Sequence, residues 1–283
     1  MKAQTNNAVF VNDTHCACQL GLMSPKGIQL KGGQRVMPSK FQKWLWDNCW
    51  MPFWFEFVPI ATENEPFDLV FNGDMIDNRH HGTTSLVTSN LAEQERIFTD
   101  CMDPVLAIKN LRRRFAVGGT DAHAGISAEN EEKLAKAIGA EPDELGNLCR
   151  SDLWLAIGTK GHKPGLVHAL HHIGTTGSAA YETTALHREY VEACQEAARW
   201  RLPAPDVIVR AHRHRYAKTE VQSGNGNAIV VVSPGWQGKT PWTFKLAGAR
   251  QSIPQFGGVV VRSGDLDIYT RARVFGFRRS RTE

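Results

Sequence analysis

Five times along this 283-residue chain, a short apolar stretch stops and an acidic residue or a histidine follows at once. AVFVN (8–12) runs into Asp13-Thr14-His15, and FDLVF (67–71) into Asn72-Gly73-Asp74 and on to Asp77. RFAVGG (114–119) leads to Thr120-Asp121-Ala122-His123. GLVHAL (165–170) ends in His171-His172, and DVIVRA (206–211) in His212-Arg213-His214. Short apolar runs bounded by glycine and polar residues read as strands. In an open α/β sheet, ligands bind outside the carboxyl ends of the strands. The pattern therefore predicts that residues far apart in sequence meet in one crevice.

Helical patterns lie between the strands. FQKWLWDNCW (41–50) has helical spacing, with Pro38-Ser39 as its start. Its Trp44, Trp46 and Trp50 read as a packed helix face. Residues 86–113 read as mainly helical, with Pro104 starting a second helix or kinking the first. AENEEKLAKAIGA (128–140) is a short amphipathic helix capped by Gly139, and 182–201 a longer one closed by Pro203 and Pro205. FWFEFVPI (53–60) and AIVVVS (228–233) read as strands, and 257–275 as a hairpin. Alternating strands and helices with late hairpins indicate a layered α/β sandwich with mixed sheets. No repeat, low-complexity tract or linker divides the chain, so residues 1–283 are expected to form one domain ending in a basic tail at about 277–283.

Composition excludes several classes. With 42% apolar and 22% charged residues the chain is ordinary for a folded protein and too apolar for disorder. No apolar run reaches the length of a membrane span, so no membrane partner is expected. The N-terminus lacks the apolar stretch of a signal peptide, which leads to the expectation of a cytoplasmic protein. The net charge of +4 is too mild to declare a nucleic-acid binder. The six cysteines are scattered, and Cys16 and Cys18 stand closer than zinc hooks require, so reduced bystander thiols are expected.

Histidine and aspartate together suit divalent transition metals. In D-x-H and H-x-H, alternate residues of an extended segment share a side, so each pair can grip one ion. At least four histidines and two aspartates stand at the strand ends. A single catalytic ion uses about three protein ligands. The surplus points to two ions about 3.5–4 Å apart, bridged by a carboxylate and a hydroxide.

The order D-x-H, G-D-x-x-D, a G-N-H-type turn, H-H and G-H-x-H resembles the calcineurin-like metallophosphoesterases, with a flavour of their phage and prophage members. Here it spans residues 13–214. The resemblance implies an α/β fold, a layered αββα sandwich of two mixed sheets with the metal site at the strand ends. It implies a hydrolase that attacks a phosphate ester in line with a metal-bridging hydroxide. It also implies that Asp13, His15 and His214 hold one ion, that Asp74 bridges, and that His171 and His212 hold the second. Two divalent ions are the implied cofactors, with Mn, Fe and Zn all suited to the ligands.

The chain departs from the family at Thr120, where asparagine is expected, and places the histidine at His123. The second ion is then held by Thr120, by Asp121 or by water. His123, with Asp121, is the candidate for general acid or phosphate contact, or His123 is itself a ligand. Ala211 replaces the glycine of G-H-x-H, a small and tolerable change. His172 is the alternative to His171, and Asp77 is expected to orient a ligand rather than bind.

His80, His81, Arg213 and Arg215 are candidate substrate contacts, and Arg79 lies beside them. SPGWQGKTPW (233–242) offers base-stacking and phosphate-binding residues, or else a hydrophobic latch. The expected partner is a phosphoester, with a slight lean to diesters, nucleotides or nucleic acid; the oligomeric state is left open. Rival readings are amide hydrolysis, which two-metal sites also perform, and a non-catalytic metal-binding interaction module.

Overall fold

The described residues form thirteen strands, the first seven being β1 (Asn7–Val11), β2 (Ile28–Gln29), β3 (Arg35–Val36), β4 (Phe67–Asn72), β5 (Leu111–Val117), β6 (Cys149–Arg150) and β7 (Leu153–Ile157). β8 (Gly165–Ala169), β9 (Val207–Arg210), β10 (Ala217–Ser223), β11 (Gly226–Val232), β12 (Gln255–Ser263) and β13 (Ile268–Gly276) follow. The α-helices are α1 (Lys40–Leu45), α2 (Val58–Ala61), α3 (Leu91–Leu106), α4 (Asp121–Ala124), α5 (Glu129–Ile138) and α6 (Glu182–Trp200). The structure is a computed structural model and describes residues 4–80, 82–174, 179–223, 226–241, 243–245 and 253–277.

Two mixed sheets stand face to face, with strand orders β13-β12-β1-β4-β5-β6 and β10-β11-β9-β8-β7. β1, β4, β5 and β6 run parallel, while β12 and β13 are antiparallel additions at one edge. In the second sheet β8, β9 and β11 run parallel, and β7 and β10 flank them antiparallel.

Period-two alternation builds the layers. Phe10, Val70 and Phe115 face inward and meet Leu155, Val167, Val209 and Val231 of the second sheet. Val9, Val11, Leu69 and Phe71 face outward and are covered by Trp50, Trp54, Phe98 and Leu134. On the other side, Ile208, Val230 and Val232 are covered by Leu186 and Tyr190 of α6. The result is an α/β, four-layered αββα sandwich. The central strands are mostly apolar because both of their faces are covered.

Two expectations are corrected, and one strand went unread. FWFEFVPI is not a strand: Phe53–Phe57 forms a π-helical turn that continues into α2. Trp50, Phe53, Trp54, Val58 and Ala61 are buried at helical spacing, while Phe55 and Ile60 are exposed. Apolar residues on the exposed side hid that period. The helical reading of 111–113 is also wrong. α3 ends at Leu106 with Pro104 in its last turn, and Leu111 opens β5. Arg113 on β5 pairs with buried Asp68 on β4, which draws a basic segment into the sheet. AKTEVQS, not recognised as a strand, forms β10 through full antiparallel pairing with β11.

Other expectations hold. Ser39 caps α1 in a capping box with Gln42, and Gly139 closes α5 in the left-handed region. All six cysteines are free thiols. Among the described residues no helix is long and apolar enough to cross a membrane. The reading of Trp236 as a stacking or latch residue does not hold: it is fully buried, edge-on to Trp50 at 4.8 Å between ring centroids, and belongs to the core. Trp242 and the tail residues 278–283 lie outside the described residues.

Trp236→Ala is expected to lower unfolding free energy by about 3–5 kcal/mol, read from urea melts. A surface stacking role would leave the melt unchanged.

Candidate metal centre

β1, β4 and β5 run parallel, as do β8 and β9, so each group releases its chain at one edge of its sheet. The loops after these strands converge. The chain leaves the strands sharply, with Asp13 at φ 50°, His15 at 40°, Asp74 at 52°, His212 at 69° and His214 at 50°. Each such left-handed residue costs about 1–3 kcal/mol and persists only where its surroundings over-determine it. Those surroundings are visible. Asp13 N donates to Gly73 O, His15 N to Asp74 O, and Asp77 N to Cys16 O, at 2.9, 3.1 and 3.0 Å. Gly73 and Gly119 permit the approach: a Cβ on Gly119 would lie 2.1 Å from Asp74 Oδ1.

Side chains from these loops form overlapping ligand sets. Asp13, His15 and His214 make one, and Asp74, His171 and His212 another, each with its ligand atoms within 4.8 Å of one another. His15, Asp74 and His123 make a third that joins them. His214 Nε2 lies 3.1 Å from Asp13 Oδ1, and His171 Nε2 lies 3.2 Å from Asp74 Oδ2 and 3.8 Å from Asp13 Oδ1. Ligands each about 2.0–2.2 Å from one ion stand roughly this far apart. Beyond these close ion-pair approaches, Asp13 Oδ1 and His171 Nε2 are buried and make no hydrogen bond. Two buried polar atoms 3.8 Å apart and without hydrogen bonds, amid imidazoles and carboxylates, are what divalent cations would satisfy, so the residues fit the ions.

The ligands are held from behind. His15 Nδ1 lies 3.0 Å from Asp77 Oδ1, and Gln237 Nε2 donates to the same oxygen at 3.0 Å. His171 Nδ1 donates to Asn72 O at 2.7 Å, and His123 Nδ1 to Asp77 O at 2.7 Å. Each contact leaves Nε2 for the centre. Asn12 donates to Asp13 Oδ2, and so does His212 N.

Charge is shared closely. Burial opposes ionisation of Asp13, yet His214 and His171 hold its carboxyl well below the usual range. Asp74 is lowered in the same way against burial, chiefly by His171. Burial would lower His171, but Asp74 and Asp13 raise it to about 10. Burial and the neighbouring His15 push His123 down to about 4, so it is neutral at pH 7.

The structure sorts the remaining candidates. Thr120 donates from both N and Oγ1 to Asp74 Oδ1, at 2.8 and 3.0 Å. Its hydroxyl thus orients the shared carboxylate. Asp121 is exposed in the first turn of α4 and joins none of the ligand sets among the described residues. His80 lies 3.5 Å from Asp77 and stacks edge-on to His123, so it borders the centre. His81 lies outside the described residues. His172 is exposed at the rim, its ring 5.1 Å from both His171 and His212. Arg215 pairs with Glu182 of α6 at 3.2 Å, and burial lowers the pKa of Arg213 against the opposing charges of Glu182 and Glu189. Arg215 thus engages α6, whereas the Arg213 guanidinium nitrogens Nη1 and Nη2 are buried without a hydrogen-bond partner. A cleft of ≈ 380 Å³ opens beside His80, lined by Arg79, Leu91, Asp121 and Ile126.

Sequence reading missed Asn12, Gln237 and Glu131. Asn12 and Gln237 carry no motif. Glu131 is buried in α5 and accepts from Met75 N at 3.1 Å and Gly119 N at 2.6 Å. Burial and then the Asp74 charge push its carboxyl up to about 7. Its position was readable, since Glu131, Leu134, Ala135 and Ile138 share one helix stripe and all are buried.

No protein-family model matches the sequence, and no curated protein matches it. Among solved structures, vacuolar protein sorting 29 from Cryptosporidium parvum is 12% identical with a TM-score of 0.34, over 97% of this chain and 100% of that one. A conserved uncharacterized protein from Streptococcus pneumoniae, described as a predicted phosphoesterase, is 9% identical with a TM-score of 0.35, over 98% and 100%. These likenesses are slight, and the functional reading rests on the residues.

Metal uptake between pH 7 and 9 is expected to expel at least one proton, because His171 carries one until about pH 10 in the metal-free chain. Calorimetry in buffers of different ionisation enthalpy will show this as a buffer-dependent heat. Gly119→Ala is expected to weaken Mn²⁺ binding at least tenfold with circular dichroism unchanged, since the new Cβ displaces Asp74.

Proposed function

We propose that this protein is a two-metal-dependent phosphoesterase of the calcineurin-like metallophosphoesterase type, phage and prophage members included. The observation that carries the reading is the pair of ligand sets joined through His15 and Asp74, with Asp13 Oδ1 and His171 Nε2 buried and without a hydrogen bond between them. Asp13, His15 and His214 would hold one ion, and His171 and His212 the other, with Asp74 shared. Two such ions supply a water of lowered pKa and stabilise negative charge on a phosphoryl group.

The chain's own residues do the rest. Thr120 fixes the Asp74 carboxylate so that Oδ2 faces His171. Asp77 and Gln237 fix the ring of His15. His123 is anchored through Nδ1 and presents Nε2 toward the reacting centre. Anionic substrate draws a proton onto that nitrogen, which then reaches the leaving oxygen. The cleft beside His80, with Arg79 and the apolar side chains of Leu91 and Ile126, leaves room for a second ester group. This supports a phosphodiester, nucleotide or nucleic-acid-related substrate over a bare monoester. Manganese suits the mixed imidazole and carboxylate set. Free thiols throughout are in keeping with a cytoplasmic setting.

A second reading, a non-catalytic metal-binding interaction module, is favoured by one observation. Thr120 stands where the resemblance implies an amide ligand, and its hydroxyl is turned to Asp74.

Chelator-stripped protein is expected to be inactive on a chromogenic aryl phosphodiester, Mn²⁺ to restore turnover, and Asp74→Asn to lower kcat by about 10²-fold or more. Metal binding without turnover on diesters or monoesters would favour the interaction module.

A further inference from the structure

Glu131 is fully buried on the apolar stripe of α5. A buried acid there is costly unless its oxygens are satisfied. Both are satisfied by backbone amides from two different loops. Oε1 accepts from Met75 N, one residue after Asp74, and Oε2 from Gly119 N, one residue before Thr120. Thr120 in turn grips Asp74 Oδ1 through two bonds. The loops are pressed so tightly that no side chain fits at Gly119. A closed circuit therefore runs from Glu131 through Gly119 and Thr120 to Asp74, and back through Met75.

We propose that Glu131 is a positioning residue for the metal centre, tying the loop that carries Asp74 to the loop that carries Thr120 and His123. Its carboxylate sets where the shared Asp74 oxygen stands between the two ion positions. The inference rests on the two-ion reading of the site. A carboxylate is suited to the task because it accepts from two amides at once, whereas a glutamine side chain accepts through one oxygen and turns an N–H toward the other amide.

The adjacent residue supplies the control. Glu132, from the same helix, accepts from Leu148 N and Cys149 N at 3.0 and 2.7 Å, so it also anchors backbone, but at β6 and not at the centre. Glu131→Gln and Glu132→Gln are compared in the full-length chain. Mn²⁺ is titrated by calorimetry well below each melting temperature, and the coupling of the ion pair is read by electron paramagnetic resonance. Both variants are expected to melt earlier than the wild type. Only Glu131→Gln is expected to lose about 10–100-fold in affinity for one of the two ions and to weaken the coupled-pair signal. Should Glu131→Gln not fold, Glu131→Asp, which keeps the charge but withdraws it by one methylene, is read the same way. Wild-type affinity and coupling in the Glu131 variant would overturn the inference while leaving the two-ion reading intact. A wild type that takes up fewer than two Mn²⁺ would overturn both.

Discussion

Three carboxylates, Asp13, Asp74 and Asp77, are buried within one pocket, and a folded chain tolerates that only if positive charge and hydrogen-bond donors meet every oxygen. The arrangement around them follows from this demand. His214 stands against Asp13, His171 against Asp74, and His15 against Asp77. Without metal, protons supply part of the positive charge, which is why His171 holds its proton far beyond the ordinary imidazole range in spite of burial. Divalent cations would meet the same demand at the two atoms that hydrogen bonds leave unmet.

The sandwich delivers these groups to one place. Parallel strands end at a common edge, and each sheet contributes its own loops: Asp13, Asp74 and His123 from the first, His171, His212 and His214 from the second. The face-to-face packing of Phe10, Val70 and Phe115 on Val167 and Val209 brings those edges together. The price is backbone strain at the ligands themselves, which sit in the left-handed region at Asp13, His15, Asp74, His212 and His214. Lacing between the loops after β1 and β4 holds that strain in place.

Much of this was legible in the sequence because the signals are local. An apolar strand that stops at a charged residue names both the strand and its end. The capping box at Ser39 and Gln42 and the left-handed Gly139 are likewise short-range features. Errors arose where local signals were silent. In 53–60, apolar residues on the exposed face erased the helical period. At the start of β5, three arginines, Arg112 to Arg114, masked a strand that a neighbouring Asp68 makes tolerable. Trp236 looked available for stacking, yet the chain after β11 carries it into the core beneath α1 and the following π turns.

The sequence by itself determined the inventory: which side chains can ligate, that strand ends carry them, and that the order D-x-H, G-D-x-x-D, H-H and H-x-H runs through the chain. Tertiary structure alone decided the partnerships. It turned the Thr120 hydroxyl onto Asp74, sent Arg215 to Glu182, set Gln237 on Asp77, and brought Glu131 beneath two loops at once. The reason is physical. A residue's capacity to bind is a property of its side chain, whereas what it binds depends on which distant segments the packing of two sheets places within about 3 Å of it.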